Sequence, residues 1–113
     1  MAEWTERAAL LFKPEGLNKL QNAKVLVVGL GGVGSFAAEF LARAGVGTMT
    51  IVDGDVVDIT NINRQLPALH STVGQPKVTV VGDRLMDINP ELKLTTVVFE
   101  PEGLKTRVWV NIM

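Results

Sequence analysis

At 113 residues the chain has room for one small domain, and 47% hydrophobic against 20% charged residues excludes a disordered segment. The net charge of −1 argues against nucleic-acid binding through bulk electrostatics, which needs a surplus of Lys and Arg, without excluding a local basic patch. Cysteine is absent, which excludes disulfides, thiolate zinc sites and a cysteine nucleophile.

The N-terminal residues 1–22 do not have the pattern of a targeting segment. Glu3 and Glu6 interrupt the apolar residues, which excludes a secretory signal. The longest uncharged stretch, residues 25–38, is too short to span a bilayer and is broken by glycines. We therefore expect a soluble, cytoplasmic protein with no membrane partner. The apolar spacing of this region predicts two short helices separated at Pro14.

Beyond residue 22, strand-like and helix-like patterns alternate. The string AKVLVVG is a run of β-branched and aliphatic residues ending in glycine, which is typical of a strand buried on both faces. Apolar residues from Val33 onward recur at helical spacing until Gly45, a typical helix stop. Residues 54–74 have no sustained period and predict mostly a loop, with room for one helical turn. The predicted strands are 23–29, 48–53 and 92–99, and the predicted helices are 33–44 and 75–88.

The order β-α-β-α-β is typical of an α/β fold with a parallel sheet and right-handed crossovers. It corresponds to the N-terminal half of a Rossmann-like sheet, here preceded by two short helices. We assign residues 23–100 to this half-domain and residues 1–22 to the helices. Such a half has an exposed strand edge, where further strands should pair.

A glycine turn connects the first predicted strand to the first predicted helix of this half-domain. The string GLGGVG, with Gly29, Gly31, Gly32 and Gly34, fits the pattern G-x-G-x-x-G. It predicts a tight turn that brings backbone N–H groups and a helix start close to a phosphate. Asp53 ends the second strand, where a carboxylate can accept hydrogen bonds from ribose hydroxyls. A tight turn without a ligand is the alternative, and the turn alone does not separate NAD from ATP.

The polar loop after the second strand favours ATP. Arg64 and Lys77 supply two cations, and charge builds on phosphoryl oxygens and on departing pyrophosphate when the α-phosphate of ATP is attacked. An NAD pyrophosphate, by contrast, needs a backbone cradle and little fixed positive charge. The alternative makes Arg64 an ion-pair partner of Asp55 or Asp58, and Lys77 an exposed residue at a helix start.

Several strings resemble the ubiquitin-activating-enzyme-like adenylyltransferase superfamily, which includes the ThiF and MoeB type of sulfur-carrier activators. They are VLVVGLGGVGS, AGVGTMTIVDGDVVDITNINRQ, VGQPK and INPELKL. Within that superfamily, TNINRQLPALHSTVG most resembles the tRNA threonylcarbamoyladenosine dehydratase family. The similarity covers about residues 7–100, the N-terminal part of such proteins.

The resemblance implies a role for individual residues. It places Asp53 on the ribose of ATP and Arg7 on the ATP of a neighbouring subunit, which implies a homodimer. A solvated Arg7 on a short helix is the alternative. Candidate catalytic residues are Arg64, Lys77 and Arg7, and candidate ATP ligands are Gly29, Gly31, Gly32, Gly34, Asp53, Asn61, Arg64, Lys77 and, in support, Gln65.

The resemblance also implies a reaction. A carboxylate attacks the α-phosphorus of ATP, pyrophosphate leaves and an acyl-adenylate forms. In the dehydratases the carboxylate belongs to threonylcarbamoyladenosine 37 of tRNA, and the product is its cyclic derivative. In the sulfur-carrier branch it is the C-terminal glycine of a small ubiquitin-like protein. An inactive or NAD-binding Rossmann fragment is a third interpretation.

The chain also departs from the family. Members run to more than twice this length and continue with a strand that ends in an aspartate, which helps to hold Mg²⁺. From about Gly103 the resemblance is lost, so we assign no metal ligand and expect most of the tRNA-binding surface elsewhere. Residues 101–113 are expected to form an atypical tail of a truncated or frameshifted product. Catalysis is expected of the family rather than of these 113 residues alone.

Overall fold

The computed structural model describes residues 3–99 and 109–112. Each predicted strand and helix between residues 23 and 99 is confirmed, within two residues of its predicted bounds. Two 3₁₀ turns, Glu3–Thr5 and Ile59–Asn61, complete the element order. The helices are α1 (Glu6–Asn22), α2 (Gly32–Ala44) and α3 (Lys77–Ile88), and the strands are β1 (Lys24–Val28), β2 (Thr48–Val52), β3 (Lys93–Val97) and β4 (Trp109–Ile112).

The first helix is interrupted one residue before Pro14. Lys13 has φ 63° and ψ 163°, far from helical values. The ring of a proline disfavours the helical conformation in the residue before it, so the break falls at Lys13. The interruption divides α1 into two short helical segments, as the sequence predicts.

The sheet has the order β3-β2-β1-β4. The first three strands are parallel and in register, so that Lys24 lies beside Thr48 and Thr48 beside Lys93. This arrangement places the carboxyl ends of all three strands at one edge of the sheet. The α/β Rossmann-like fold predicted from the sequence is therefore present.

The fourth strand was not predicted. Trp109–Ile112 pairs antiparallel with β1, with Val28 beside Trp109 in the register. The free edge of β1 presents unpaired backbone N–H and C=O groups, which a short extended segment can satisfy. The rest of the predicted tail, residues 101–108 and 113, lies outside the described residues.

The core lies between the sheet and the helices α2 and α3. Alternate residues of β1 and β2 point toward these helices, whose inward faces carry small and aliphatic side chains. Burial of this apolar surface is the main stabilising term of the fold. The buried cluster comprises Val25, Val27, Leu30, Ala38, Ala42, Val46, Met49, Ile51, Val78, Val81, Leu85 and Leu92.

At the amino ends of the strands, hydrogen bonds join the ends of the helices to the sheet. Gly47 donates its N–H to the Leu20 carbonyl at 3.2 Å and accepts from the Lys93 N–H at 2.9 Å. The buried side chain of Asn89 donates to the carbonyls of Val46 and Ala42, at 3.1 and 3.4 Å. These bonds hold the end of α1, the end of α2 and the start of β3 together.

None of the helices in the described part of the chain is long and apolar enough to cross a membrane. The cytoplasmic location stays a prediction from the composition.

Candidate functional site

The glycine turn lies at the carboxyl end of β1. The Gly29 N–H donates to the Val52 carbonyl at 2.8 Å, which continues the pairing of β1 with β2. The chain then turns at Gly29, where φ is 91°, a conformation that residues with a side chain rarely adopt. In open parallel sheets, ligands bind outside this end of the strands. The fold thus places the turn where a nucleotide site is expected.

At Gly31 and Gly32, unlike at Gly29, the backbone conformation does not require a glycine. Gly31 has φ −73°, which any residue can adopt, and Gly32 is the first residue of α2. A Cβ at Gly31 would lie 3.7 Å from Gln65 Nε2, and one at Gly32 would lie 3.4 Å from the Arg64 carbonyl oxygen, both ordinary contacts. Neither conformation nor packing within residues 3–99 demands glycine here. Their bare backbone leaves room for a ligand to approach closely.

The start of α2 offers unpaired donors. No side chain caps the helix, and its first bond joins the Ser35 N–H to the Gly31 carbonyl at 3.0 Å. The Ser35 hydroxyl donates to the same oxygen at 2.6 Å. The N–H groups of Gly32, Val33 and Gly34 have no acceptor among the residues described. Such N–H groups, at the positive end of a helix dipole, favour an anion.

Asp53 fastens the glycine turn to the loop that follows β2. Its Oδ2 accepts the Leu30 N–H and its Oδ1 accepts the Asp55 N–H, both at 2.7 Å. A carboxylate oxygen can accept more than one hydrogen bond, so these contacts leave capacity for ribose hydroxyls. The ribose role of Asp53 stays a prediction, and its fastening role is an addition from the structure.

A reciprocal cap shapes the polar loop. Asp58 Oδ1 accepts from the Thr60 N–H at 2.8 Å and the Thr60 hydroxyl at 2.7 Å, and Asn61 Oδ1 accepts from the Asp58 N–H at 3.0 Å. The Thr60 backbone, then its hydroxyl, lower the pKa of Asp58, and the charge of Lys77 adds to the lowering. Asn61, a candidate ATP ligand, is buried and uses its amide oxygen for this cap.

Arg64 is exposed at the mouth of the site. Its Nη1 donates to Asn63 Oδ1 at 3.0 Å and to the Thr60 carbonyl at 3.4 Å. It forms no ion pair with any residue in the described ranges, so the alternative pairing with Asp55 or Asp58 is not observed. The guanidinium keeps donors free for an anion.

Gln65 lies under the glycine turn. The residue is 9% exposed, and its Nε2 is the atom nearest to a Cβ built at Gly31. Its Oε1 is buried without a hydrogen-bond partner in the part of the chain that the structure describes. Buried unsatisfied polar atoms are rare in native proteins, and a binding role is one explanation. This position is consistent with the predicted supporting role, which stays a prediction.

Lys77 is the most informative residue of the site. It begins α3 and is 6% exposed, so the alternative of an exposed lysine is wrong. Ion pairs within residues 3–99 join only Glu39 to Arg43 and Arg84, and no described hydrogen bond involves the Lys77 ammonium. The charge of Lys77 acts on the Asp58 carboxylate without a direct ion pair. A cation on a largely buried residue with no direct ion-pair partner favours an added anion.

Hydrogen bonds join these parts into one constellation. The Lys77 N–H donates to the Asp55 carbonyl at 3.0 Å, and the Asp55 N–H donates to the Asp53 carboxylate. The same carboxylate accepts from Leu30 in the glycine turn. A chain of three hydrogen bonds thus connects the glycine turn, the acid after β2 and the backbone of the lysine that begins α3.

Arg7 lies outside this constellation. It is exposed in the first turn of α1. The preceding residues Trp4 and Thr5 line a groove of about 590 Å³ together with Lys24 and Thr48, which begin β1 and β2. A strand of five residues spans about 16 Å, so Arg7 and the glycine turn lie toward opposite ends of the sheet. Its action on a neighbouring subunit stays a prediction.

Three contacts of the site were missed from the sequence. They are the bond from Leu30 to Asp53, the cap of Asp58 with Asn61, and the bond from Lys77 to the Asp55 carbonyl. The string DITN carries the local signature of a cap and could have revealed the second. The other two join segments that are distant in sequence and have no local signal.

Comparison with known proteins agrees with this geometry. A model of the ThiF family matches residues 5–110. The tRNA threonylcarbamoyladenosine dehydratase of Bacillus subtilis (strain 168) is 60% identical over 88 residues, which are 78% of this chain and 35% of that protein. The molybdopterin-synthase adenylyltransferase of Salmonella typhimurium (strain LT2) is 49% identical over 86 residues, which are 76% of this chain and 34% of that protein. The chain spans about a third of the length of these relatives.

A solved structure supports the same relationship. The Escherichia coli tRNA N6-threonylcarbamoyladenosine dehydratase, in complex with ATP, superposes with a TM-score of 0.83 at 43% sequence identity. The alignment covers 88% of this chain and 42% of that one. The family match spans the glycine turn, the polar loop and α3. The chain belongs to the ThiF family.

Proposed function

We propose that residues 23–100 form an ATP-binding unit that serves the adenylation of a carboxylate. One observation carries the proposal: Lys77 is 6% exposed, its ammonium forms no direct ion pair or hydrogen bond with a described residue, and its backbone is joined through Asp55 and Asp53 to a glycine turn with free N–H groups. A dinucleotide needs little fixed positive charge beyond such a turn. A triphosphate, whose charge rises toward the transition state, is the better match.

The proposed reaction proceeds in one displacement. A carboxylate oxygen forms a bond to the α-phosphorus of ATP, and the bond from that phosphorus to the bridging oxygen breaks. Pyrophosphate leaves with the electron pair, and an acyl-adenylate remains. The N–H groups at the start of α2, the ammonium of Lys77 and the guanidinium of Arg64 would stabilise the charge on the phosphates. Asp53 would hold the ribose, and Asn61 and Gln65 would support the phosphate side.

The proposed carboxylate is that of threonylcarbamoyladenosine 37 in tRNA, with the cyclic derivative as the product. The 60% identity to the Bacillus subtilis dehydratase supports this choice. The second candidate is the C-terminal carboxylate of a sulfur-carrier protein, which the 49% identity to the Salmonella adenylyltransferase supports. Both share the adenylation step and differ in the partner that presents the carboxylate.

A homodimer is part of the proposal. Val33, Phe36 and Phe40 form an exposed apolar stripe on α2, and the two phenyl rings lie 5.0 Å apart. Exposed apolar stripes of this kind mark protein–protein contacts. A second copy would also supply the Arg7 that this chain holds away from its own glycine turn.

Magnesium stays an expectation from the family resemblance. Within the described residues, no three His, Cys, Asp or Glu side chains lie close enough together to hold a metal ion. No step of the proposed reaction depends on a metal ion.

Calorimetry with ATP and NAD tests the binding proposal. The chain should bind ATP and not NAD, and Lys77→Met should weaken ATP binding about tenfold to a hundredfold, since hydrogen bonds to charged groups contribute about 1.5–3 kcal/mol. Lys19→Met, at an exposed lysine of α1, is the matched control and should leave the affinity unchanged. Binding of NAD with indifference to ATP would contradict the proposal.

Isotope exchange between pyrophosphate and ATP tests the substrate. Exchange that depends on tRNA carrying threonylcarbamoyladenosine would support the dehydratase. Exchange that depends on a small sulfur-carrier protein would support the second candidate instead. ATP binding without exchange in either assay would show that these 113 residues bind the nucleotide and do not complete the reaction.

A further inference from the structure

An ion pair connects α2 to α3. Arg84 Nε lies 2.7 Å from Glu39 Oε2, and Arg84 Nη2 lies 3.1 Å from Glu39 Oε1, so both carboxylate oxygens are engaged. A planar guanidinium that binds a carboxylate through two parallel bonds fixes orientation as well as distance. We call this pair the interhelix clamp.

The clamp joins the two helices at positions that are equally far from their first residues. Glu39 lies seven residues after Gly32, the first residue of α2, and Arg84 lies seven residues after Lys77, the first residue of α3. Seven helical residues span about 10 Å. The clamp therefore lies equally far along each helix from the helix start. It can influence the distance between the start of α2 and the start of α3.

A second polar contact holds the opposite ends of these helices. Asn89 follows α3 and binds the Ala42 and Val46 carbonyls near the end of α2. In the described ranges, no other side-chain hydrogen bond or ion pair joins α2 to α3 or to the residue that follows it. The clamp is thus the polar contact nearer to the proposed phosphate site.

We propose that Arg84 is a positioning residue, which acts through Glu39 to set the spacing between the N–H groups of α2 and the ammonium of Lys77 that together receive the phosphates. This role rests on the proposed function. Neither residue belongs to the proposed nucleotide site, because each lies about 10 Å along its helix from the helix start. A phosphate chain must contact both helix starts at once, and a shift of either would remove one set of contacts.

The surroundings of Glu39 separate this pair from an ordinary surface contact. Its side chain is 12% exposed, against 47% for Arg84. Hydrogen bonding to Arg84 first, and to Arg43 as well, lowers the pKa of Glu39, and Glu39 raises the pKa of Arg84. The carboxylate is therefore charged at neutral pH, and the clamp is present where the protein would work.

Arg43 provides a matched control. Its Nε and Nη2 lie 3.1 and 2.9 Å from the same Glu39 oxygen. Arg43 lies four residues along the same helix, so its bond does not join α2 to α3. Arg43→Ala removes one cation from Glu39 and leaves the interhelix contact in place.

Distances between spin labels test the spacing without any nucleotide. The chain has no cysteine, so Val33→Cys with Thr79→Cys places one label at each helix start, at exposed positions. Because Val33 belongs to the apolar stripe of the proposed homodimer, the labelled chain is diluted into unlabelled parent chain so that distances within one chain are measured. Arg84→Ala should broaden the distance distribution about twofold, and Arg43→Ala should leave it unchanged. Arg84→Lys, which keeps the charge and loses the fork, should lie between them and guards against a variant that fails to fold. Equal widths in all variants would overturn the clamp.

ATP titration tests the consequence for binding. In the background without labels, Arg84→Ala should weaken ATP binding about fivefold to tenfold, against less than about twofold for Arg43→Ala. A broadened distance with unchanged ATP affinity would overturn the positioning role. A parent chain that binds no ATP would overturn the proposed function, while the label distances would still decide whether the clamp sets the spacing.

Discussion

At the amino ends of the strands, a Cβ added to Gly47 would overlap with the carbonyl oxygen of Gln21. At the carboxyl ends, a Cβ added to Gly31 or Gly32 would meet only ordinary contacts. The backbone donor of Gly47 is paired within the protein, whereas the N–H of Gly32 has no acceptor among the residues described. Packing within the protein thus requires a glycine at the amino ends of the strands and does not require one at their carboxyl ends.

The comparison separates glycines that the packing of the fold requires from glycines that we propose serve a ligand. Packing demands Gly47, because α1 and β2 approach there too closely for a side chain. Nothing in the described part of the protein demands Gly32, so we expect its bare backbone to serve the proposed phosphate. The largely buried Lys77 belongs to the same open end. The buried Asn89, whose side-chain NH₂ group donates to two carbonyls, belongs to the closed end.

The largest expected effect is at the closed end. Gly47→Ala should lower the free energy of unfolding by about 3 kcal/mol, because the methyl group forces the backbone of α1 away from β2. Urea unfolding followed by circular dichroism measures this change. An unfolding free energy within about 0.5 kcal/mol of the parent would show that the two ends do not differ in the way described.

Gly32→Ala should have the opposite balance. Alanine is the better helix residue and is free of clashes here, so the free energy of unfolding should stay equal or rise slightly. The methyl group would occupy the approach of the phosphate, so ATP affinity should fall at least about tenfold. Calorimetry and urea unfolding of the same preparation measure both quantities. Retained ATP affinity would mean that the open space at Gly32 serves no ligand.

A smaller effect is expected at Asp53. Asp53→Asn replaces one carboxylate oxygen by an NH₂ group, which cannot accept the N–H of Leu30 or Asp55. The loss of one hydrogen bond to a charged acceptor should lower the free energy of unfolding by about 1–2 kcal/mol and weaken ATP binding a few-fold. Thermal unfolding and ATP titration measure both. An unchanged stability would show that the open end is not fastened through this carboxylate.

The regular elements were predictable because their signals are local. The hydrophobic run of β1, the helical period of α2 and α3 and the glycine stop at Gly45 all lie within short windows. The antiparallel β4 was missed, because its pairing with β1 depends on an edge formed by residues far earlier in the chain. Lys77 was singled out from the sequence as a candidate site residue, but its burial depends on packing that no local pattern encodes.

Sequence by itself determined the β-α-β-α-β order, the glycine turn, the acid at the end of β2 and the presence of two cations beyond it, since each depends on residue type and spacing along the chain. Only the tertiary structure decided which of these groups meet. It placed Lys77 in a largely buried position without a direct ion pair among the described residues, left Arg64 exposed, held Arg7 toward the other end of the sheet and joined Glu39 to Arg84. The burial of a side chain and its ion pairs depend on contacts with residues that are distant in sequence. These contacts form only when the helices pack on the sheet.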